Sequence, residues 1–268
     1  MFQNFFSKAG AVEPYKAYSA EHFILICICG ILIIFALWKY RKADRKTVLS
    51  ITRWCAIALW ILEIIKIVFN LLIGNANNPN TYIPLYFCSI PLYGLIMCGW
   101  GKGLLKRNGE VFMIVGGMVG GIGYILSPNT SAGLYQAFHF ITVQSFILHG
   151  IMVFLSLLYI ITGYYRLVKD DVKFYGATVL IMCIVAYIVN CFLGSNLMFV
   201  SRNFPGTPIE ILYNVSPKAF PFLITFIQVL PPFVVVYGLI AGMQKLFSVI
   251  GMNREAGKKE KQKKEKVY

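Results

Sequence analysis

Cys88 and His149 are the two side chains whose type and setting suit covalent chemistry. Cys88 stands in Ile83-Pro84-Leu85-Tyr86-Phe87-Cys88-Ser89-Ile90-Pro91-Leu92, with a proline on either side of it. A proline removes a backbone donor and loosens the turn before it. Within hydrocarbon the carbonyls so freed need other partners, so such breaks lie against protein or a water-filled cavity. A thiol held there is either a small apolar filler or a nucleophile, and it becomes a nucleophile when a base takes its proton. His149 comes eleven residues after Phe138, ~16 Å along a helix axis, and shares a helical face with Thr142 and Ser145. An imidazole that far into an apolar run is costly to charge and marks a functional candidate; the plain alternative is a neutral ring hydrogen-bonded across helices. Cys88 lies ~9 Å in from the outer end of its own run. A proline-loosened turn and a helix tilt of ~20° absorb the remaining ~7 Å. The pair is therefore expected within hydrogen-bonding reach, directly or through one water.

Other polar side chains fall in the same half of the bilayer. Glu63, Lys66 and Asn70 stack on one helical face, and Glu63 is the only acid inside the expected spans. Charges in hydrocarbon face the bundle interior and pair, so Glu63–Lys66 is either a packing pair or one wall of a polar site. His22 opens the first apolar run, Asn190 and Asn196 lie at the end of the sixth, and Gln228 precedes Pro231-Pro232, a second expected helix break. Asn196, Asn190, Gln228, Glu63, Lys66 and His22 are thus the candidates for positioning a substrate or stabilising its oxyanion. A pore needs polar lining along its whole length. Polarity confined to one half, at the depth of acyl chains and glycerol esters, points to a lipid-accessible site. The loops hold no G-x-S-x-G elbow, HExxH zinc site, P-loop or Gly-rich dinucleotide turn, so no metal and no cofactor is expected.

The elements that must carry these residues are membrane helices. The chain is 58% hydrophobic and only 13% charged, with a mean hydropathy of +0.68, which excludes a soluble domain. Seven apolar runs follow one another, about 22–40, 51–73, 82–100, 111–126, 138–164, 174–197 and 219–247. Each except the fourth is long enough to cross a bilayer as a helix. Lysine and arginine alternate across the connections between them. Of the 25 in the chain, twenty fall on one side, four on the other, and Lys66 within a run. The positive-inside rule then places the N-terminus outside and the C-terminus in the cytoplasm. The expectation is an all-α polytopic membrane protein of seven transmembrane helices, one domain over 1–247, followed by a disordered basic tail over 248–268. The net charge of +14 reflects topology, not nucleic-acid binding, and the tail suits anionic lipid headgroups. The charge around the first run is opposite in polarity to a cleaved signal peptide. The seven cysteines all lie in apolar runs, with no disulfide framework. In the fourth run Gly116, Gly117, Gly120 and Gly121 form overlapping GxxxG spacings that let a neighbouring helix come close.

Ser19 and His22, Leu85-Tyr86-Phe87-Cys88 after Pro84, His149-Gly150, and Gly194-Ser195-Asn196-Leu197-Met198 together carry a resemblance. The chain resembles the YwaF family of bacterial integral membrane proteins, which is related to the animal transmembrane protein 164. Tyr86 stands where that family often has histidine. The animal relative is a cysteine-dependent acyltransferase that moves fatty acyl chains between phospholipids. The resemblance implies Cys88 as nucleophile, His149 as its base, phospholipid and lysophospholipid as partners, and a bacterial cytoplasmic membrane as location. Two readings of other classes stand beside it. One is a transporter or binding protein built on Glu63, Lys66 and His149; the other is a packing scaffold.

Overall fold

A computed structural model describes residues 2–265 apart from 75, 129 and 206, with side chains over 4–244 apart from the same three. The order is α1 (Phe2–Phe5), α2 (Ala20–Tyr40), α3 (Arg45–Leu72), α4 (Ile90–Trp100), α5 (Gly103–Leu126), α6 (Phe140–Ile161), α7 (Val172–Leu193), α8 (Pro208–Val215) and α9 (Phe220–Glu265). No strand occurs among the described residues. Six segments are long and apolar enough to cross a membrane: α2, α3, α5, α6, α7 with the turn before it, and Phe220–Gln244 of α9. Within them α6 is 78% buried and α2 only 17%, so α6 is the axis of the bundle. It packs on α5, which also touches α4, α7 and α9, while α2 and α3 close its other sides. The side chains of the basic tail, 248–268, lie outside the described residues.

The starts of these helices follow from local capping. Asp44 accepts the Thr47 amide at 2.9 Å to open α3, and Ser19 accepts the His22 amide at 3.5 Å to open α2, each satisfying an otherwise orphaned donor. Gly194, at φ 63°, closes α7 in the left-handed region where glycine carries no steric cost.

The third apolar run is not the single bent helix expected over 82–100. A 3₁₀ turn, Phe87–Ser89, leads into α4 of only 11 residues, ~16 Å or about half a hydrocarbon core. Pro84 disfavours helix at Ile83 before it. Pro91 breaks nothing, because it sits in the first turn of α4, where its missing donor is no loss. The Asn80–Tyr86 end of this segment is joined to Asn196, while Gly99 at its far end accepts the Arg53 guanidinium at 2.8 Å. Pro231-Pro232 likewise does not end α9, which runs through both. Pro232 cannot bond the Gln228 carbonyl, and the Tyr175 hydroxyl donates to that carbonyl instead, at 3.1 Å.

The fourth run also differs. Its helix begins at Gly103 and brings Lys106, Arg107 and Glu110 into α5. Glu110 is 4% exposed, so Glu63 is not the only buried acid. Opposite charges explain the extension: Lys106 pairs with Glu110 at 3.7 Å one turn on, and Arg107 reaches Asp171 at 2.8 Å.

Candidate functional site

The glycine stripe of α5 sets the position of His149. A β-carbon on Gly117 would meet the Ser156 hydroxyl at 2.7 Å, and one on Gly121 would meet the His149 carbonyl at 2.9 Å. Only glycine allows α5 so close to α6. That approach lays the Tyr124 ring flat on the His149 ring, centroids 3.9 Å apart and 10° from parallel. The Tyr124 hydroxyl is tied to Ser131 Oγ at 2.7 Å, which also bonds the Tyr15 hydroxyl at 2.8 Å. His149 Nδ1 lies 2.7 Å from the Ser145 carbonyl. A carbonyl only accepts, so Nδ1 carries the hydrogen and Nε2 presents its lone pair. Nε2 is buried and has no partner.

The other two histidines are not in this state. His22 accepts the Tyr18 amide at Nδ1 and donates from Nε2 to the Ile125 carbonyl, both at 3.0 Å. His139 accepts the Ile141 amide at 3.1 Å and donates to the Ser7 carbonyl at 3.0 Å. Burial pulls the His139 pKa down, and the Ser7 carbonyl partly offsets it. Each ring has both nitrogens spent on backbone, so His22 fastens the start of α2 to the end of α5.

Glu63 and Lys66 stand on α3. Lys66 Nζ is 2.6 Å from Glu63 Oε1, with the Glu63 side chain fully buried and the Lys66 side chain 19% exposed. Glu63 Oε2 accepts from Gln144 Nε2 at 3.2 Å, on α6 beside Ser145. Cys88 is half-buried in the 3₁₀ turn. Lys66 lies within electrostatic reach of both the Cys88 thiol and the His149 ring, and Glu63 of both Cys88 and the Tyr93 phenol. One ion pair thus lies within electrostatic reach of both thiol and imidazole. The direct Cys88–His149 hydrogen bond that the sequence allows for is not formed, since Nε2 has no partner.

Asn190, Asn196 and Gln228 are placed differently. Asn190 gives its amide to the Leu197 carbonyl and Ser201 Oγ, and its oxygen takes Ser195 Oγ and the Leu197 amide. The Asn196 side chain takes the Ser201 and Arg202 amides, and its backbone amide donates to Asn80 Oδ1 at 2.8 Å. Gln228 Nε2 donates to the Met198 carbonyl at 3.1 Å. These three hold the loop after α7, which contains the left-handed residues Met198 and Phe199 at φ 55° and 56°. Asn80 also accepts the Tyr86 hydroxyl at 3.1 Å, which ties this frame to the turn carrying Cys88. Asn70 does similar work, donating to the Thr81 carbonyl at 3.1 Å.

Comparison with known proteins now adds a family. The sequence pattern of the TMEM164 family matches residues 17–242. The chain belongs to the TMEM164 family. The match takes in Ser19 and His22, the Cys88 turn, His149 and the Asn190–Asn196 loop. No curated protein and no solved structure matches. Among the described residues of this TMEM164-family chain, no group of three His, Cys, Asp or Glu is gathered as metal ligands would be.

A second buried polar cluster occupies the other end of the bundle, where the sequence shows few polar groups. The Thr52 and Tyr159 hydroxyls are 2.8 Å apart. Arg45 bonds the Tyr164 carbonyl at 3.0 Å, and Asp171 takes Arg107, the Tyr165 hydroxyl and the Val168 amide. Burial, with Asp171 beside it, pushes the Tyr165 phenol up to about 12. Between the two clusters lie Ala56, Leu59, Leu95, Met113, Met152 and Leu155, all closed to solvent. The sequence signal that could have found Tyr124 is its place four residues after Gly120, on the face that the glycines open.

Proposed function

We propose that this protein is an integral membrane phospholipid acyltransferase or lipid ester hydrolase, with Cys88 as nucleophile and His149 as its general base. The observation that carries the reading is the His149 ring, held by Ser145 and Tyr124 with a buried, unpartnered Nε2. In this mechanism Nε2 takes the thiol proton as Sγ attacks the ester carbonyl. The tetrahedral oxyanion collapses to an acyl-thioester, and the departing alcohol takes the proton from Nε2. A lysophospholipid hydroxyl, or water, then attacks the thioester, giving its proton to Nε2, which returns it to sulfur. Lys66, within electrostatic reach of both groups, supplies positive charge for the oxyanion or a substrate phosphate. Catalytic hydrogen bonds that are open without substrate commonly tighten in the complex. Membership of the TMEM164 family supports the same reading.

The same reading takes 82–100 as a seventh passage through the bundle, part extended and part α4, because its two ends touch opposite ends of the molecule. With the N-terminus outside, the site faces the outer leaflet of a bacterial cytoplasmic membrane, and the basic tail meets anionic headgroups inside. The test is mass spectrometry of protein purified with its lipids. A hydroxylamine-labile acyl chain is expected on Cys88, absent in Cys88→Ser and strongly reduced in His149→Gln. An acyl chain mapped to another cysteine, or none after incubation with phospholipid, overturns the proposal. The buried Glu63–Lys66 pair favours a second reading, transport. The closed, mainly apolar layer between the two polar clusters, where the Ser156 hydroxyl is already spent on the Met113 and Met152 carbonyls, weighs against it, because a permeation path needs polar groups throughout.

A further inference from the structure

α7 and α9 do not close on each other along their whole length. A groove of about 680 Å³ runs between them, walled by Leu180, Ile184 and Ile188 on one side and Phe222 and Phe226 on the other. The walls are open, Ile184 being 51% and Phe222 78% exposed. At one end the helices pinch shut, where a β-carbon on Gly176 would stand 3.2 Å from Val229 Cγ1. At the other end is the exposed Lys218, which takes part in no ion pair among the described residues. Thr225, inside the groove, has already given its hydroxyl to the Pro221 carbonyl at 2.7 Å, so the interior asks for no polar group.

The dimensions single out one kind of occupant. Lys218 and Val229 are eleven residues apart, ~16 Å along the axis, which is about half of the ~30 Å hydrocarbon core. That is the depth from a phosphate at the interface to the chain ends of one leaflet. The start of α9 adds the positive end of its dipole beside Lys218. A zwitterionic headgroup would bring its own ammonium to this cation, whereas an anionic one would not.

We propose that the α7–α9 groove binds one anionic glycerophospholipid, its phosphate on Lys218 and one acyl chain laid down the seam to the Gly176–Val229 pinch. The site is separate from Cys88 and stands whether or not Cys88 carries an acyl group.

The experiment is native mass spectrometry of delipidated full-length protein titrated with phosphatidylglycerol or phosphatidylcholine. One tightly held phosphatidylglycerol per chain is expected, at a concentration about tenfold below that for phosphatidylcholine. Lys218→Glu should erase that preference. Ile184→Trp, which fills the groove from an exposed wall and leaves the lipid-free melting temperature unchanged, should remove binding; Ile31→Trp on the exposed face of α2 should not. Equal retention of the two lipids, or a preference that survives Lys218→Glu, overturns the proposal. Binding undiminished in Ile184→Trp puts the lipid elsewhere and overturns it too.

Discussion

A fully buried carboxylate and a lysine side chain that is only partly buried are unequal partners, and the Glu63–Lys66 pair is therefore lopsided. Lys66→Met strands a fully buried carboxylate with only Gln144 left to it, and removing one partner of a buried pair costs about 3 kcal/mol or more. Glu63→Gln strands a lysine whose side chain is only partly buried, and the new amide still meets Gln144, so its cost should be about 1 kcal/mol. The double substitution should recover most of the loss, since neither charge then remains. Thermal unfolding midpoints in detergent check all three, and a Glu63→Gln penalty larger than that of Lys66→Met would contradict the placement. Depth within an apolar run is enough to make His149 and Glu63 legible as interior groups in the sequence. It does not reveal that Asn190, Asn196 and Gln228 serve the backbone, because the irregular turn at Met198 and Phe199 that consumes their hydrogen bonds has no sequence pattern. Gln144 and Tyr124 are hidden for another reason. Their roles depend on which helices touch, and periodicity says only which face is inward.

Among the elements, α5 decides how tightly the site is held. Gly121 and Gly123 are two residues apart on one helix but lie in opposite surroundings. A β-carbon on Gly121 would come within 2.6 Å of Val153 Cγ2 and 2.9 Å of the His149 carbonyl; one on Gly123 would meet nothing within 4 Å. Gly121→Ala should therefore destabilise by about 1–3 kcal/mol through overpacking, and should move Tyr124 off the His149 ring. Gly123→Ala should be neutral or stabilising by about 0.5–1 kcal/mol, as the helix loses a flexible residue. Melting temperatures separate the two, and the near-ultraviolet signal of Tyr124 against a Tyr124→Phe background reports the stacking. The overlapping GxxxG spacings announce this contact, because close helix approach has a compositional cause. The extent of α4 is not announced. Hydropathy sees Tyr82 to Trp100 as one apolar run, and whether a proline kinks a helix or starts one depends on the turn in which it falls.

On the scale of the whole molecule, the two ends are built from different chemistry. One end is closed by uncharged hydrogen bonds: Asn80 to Asn196, His22 to the Ile125 carbonyl, His139 to the Ser7 carbonyl. The other is closed by cations: Arg45 on the Tyr164 carbonyl, Arg53 on the Gly99 carbonyl, Arg107 on Asp171. Only the second carries dense positive charge, which the positive-inside rule associates with a cytoplasmic face. The charge alternation along the chain and the contacts across the bundle are independent observations that sort the connections into the same two groups. Labelling of intact cells with a membrane-impermeant maleimide tests which group is outside. Asn77→Cys and Thr130→Cys, both exposed at the end closed by uncharged hydrogen bonds, should label before lysis. Lys102→Cys, exposed beside the start of α5, should label only after it. The reverse pattern would turn the molecule over and move Cys88 and His149 to the cytoplasmic leaflet. The proposed chemistry would survive that result, but its lipid substrates would then have to come from the inner leaflet.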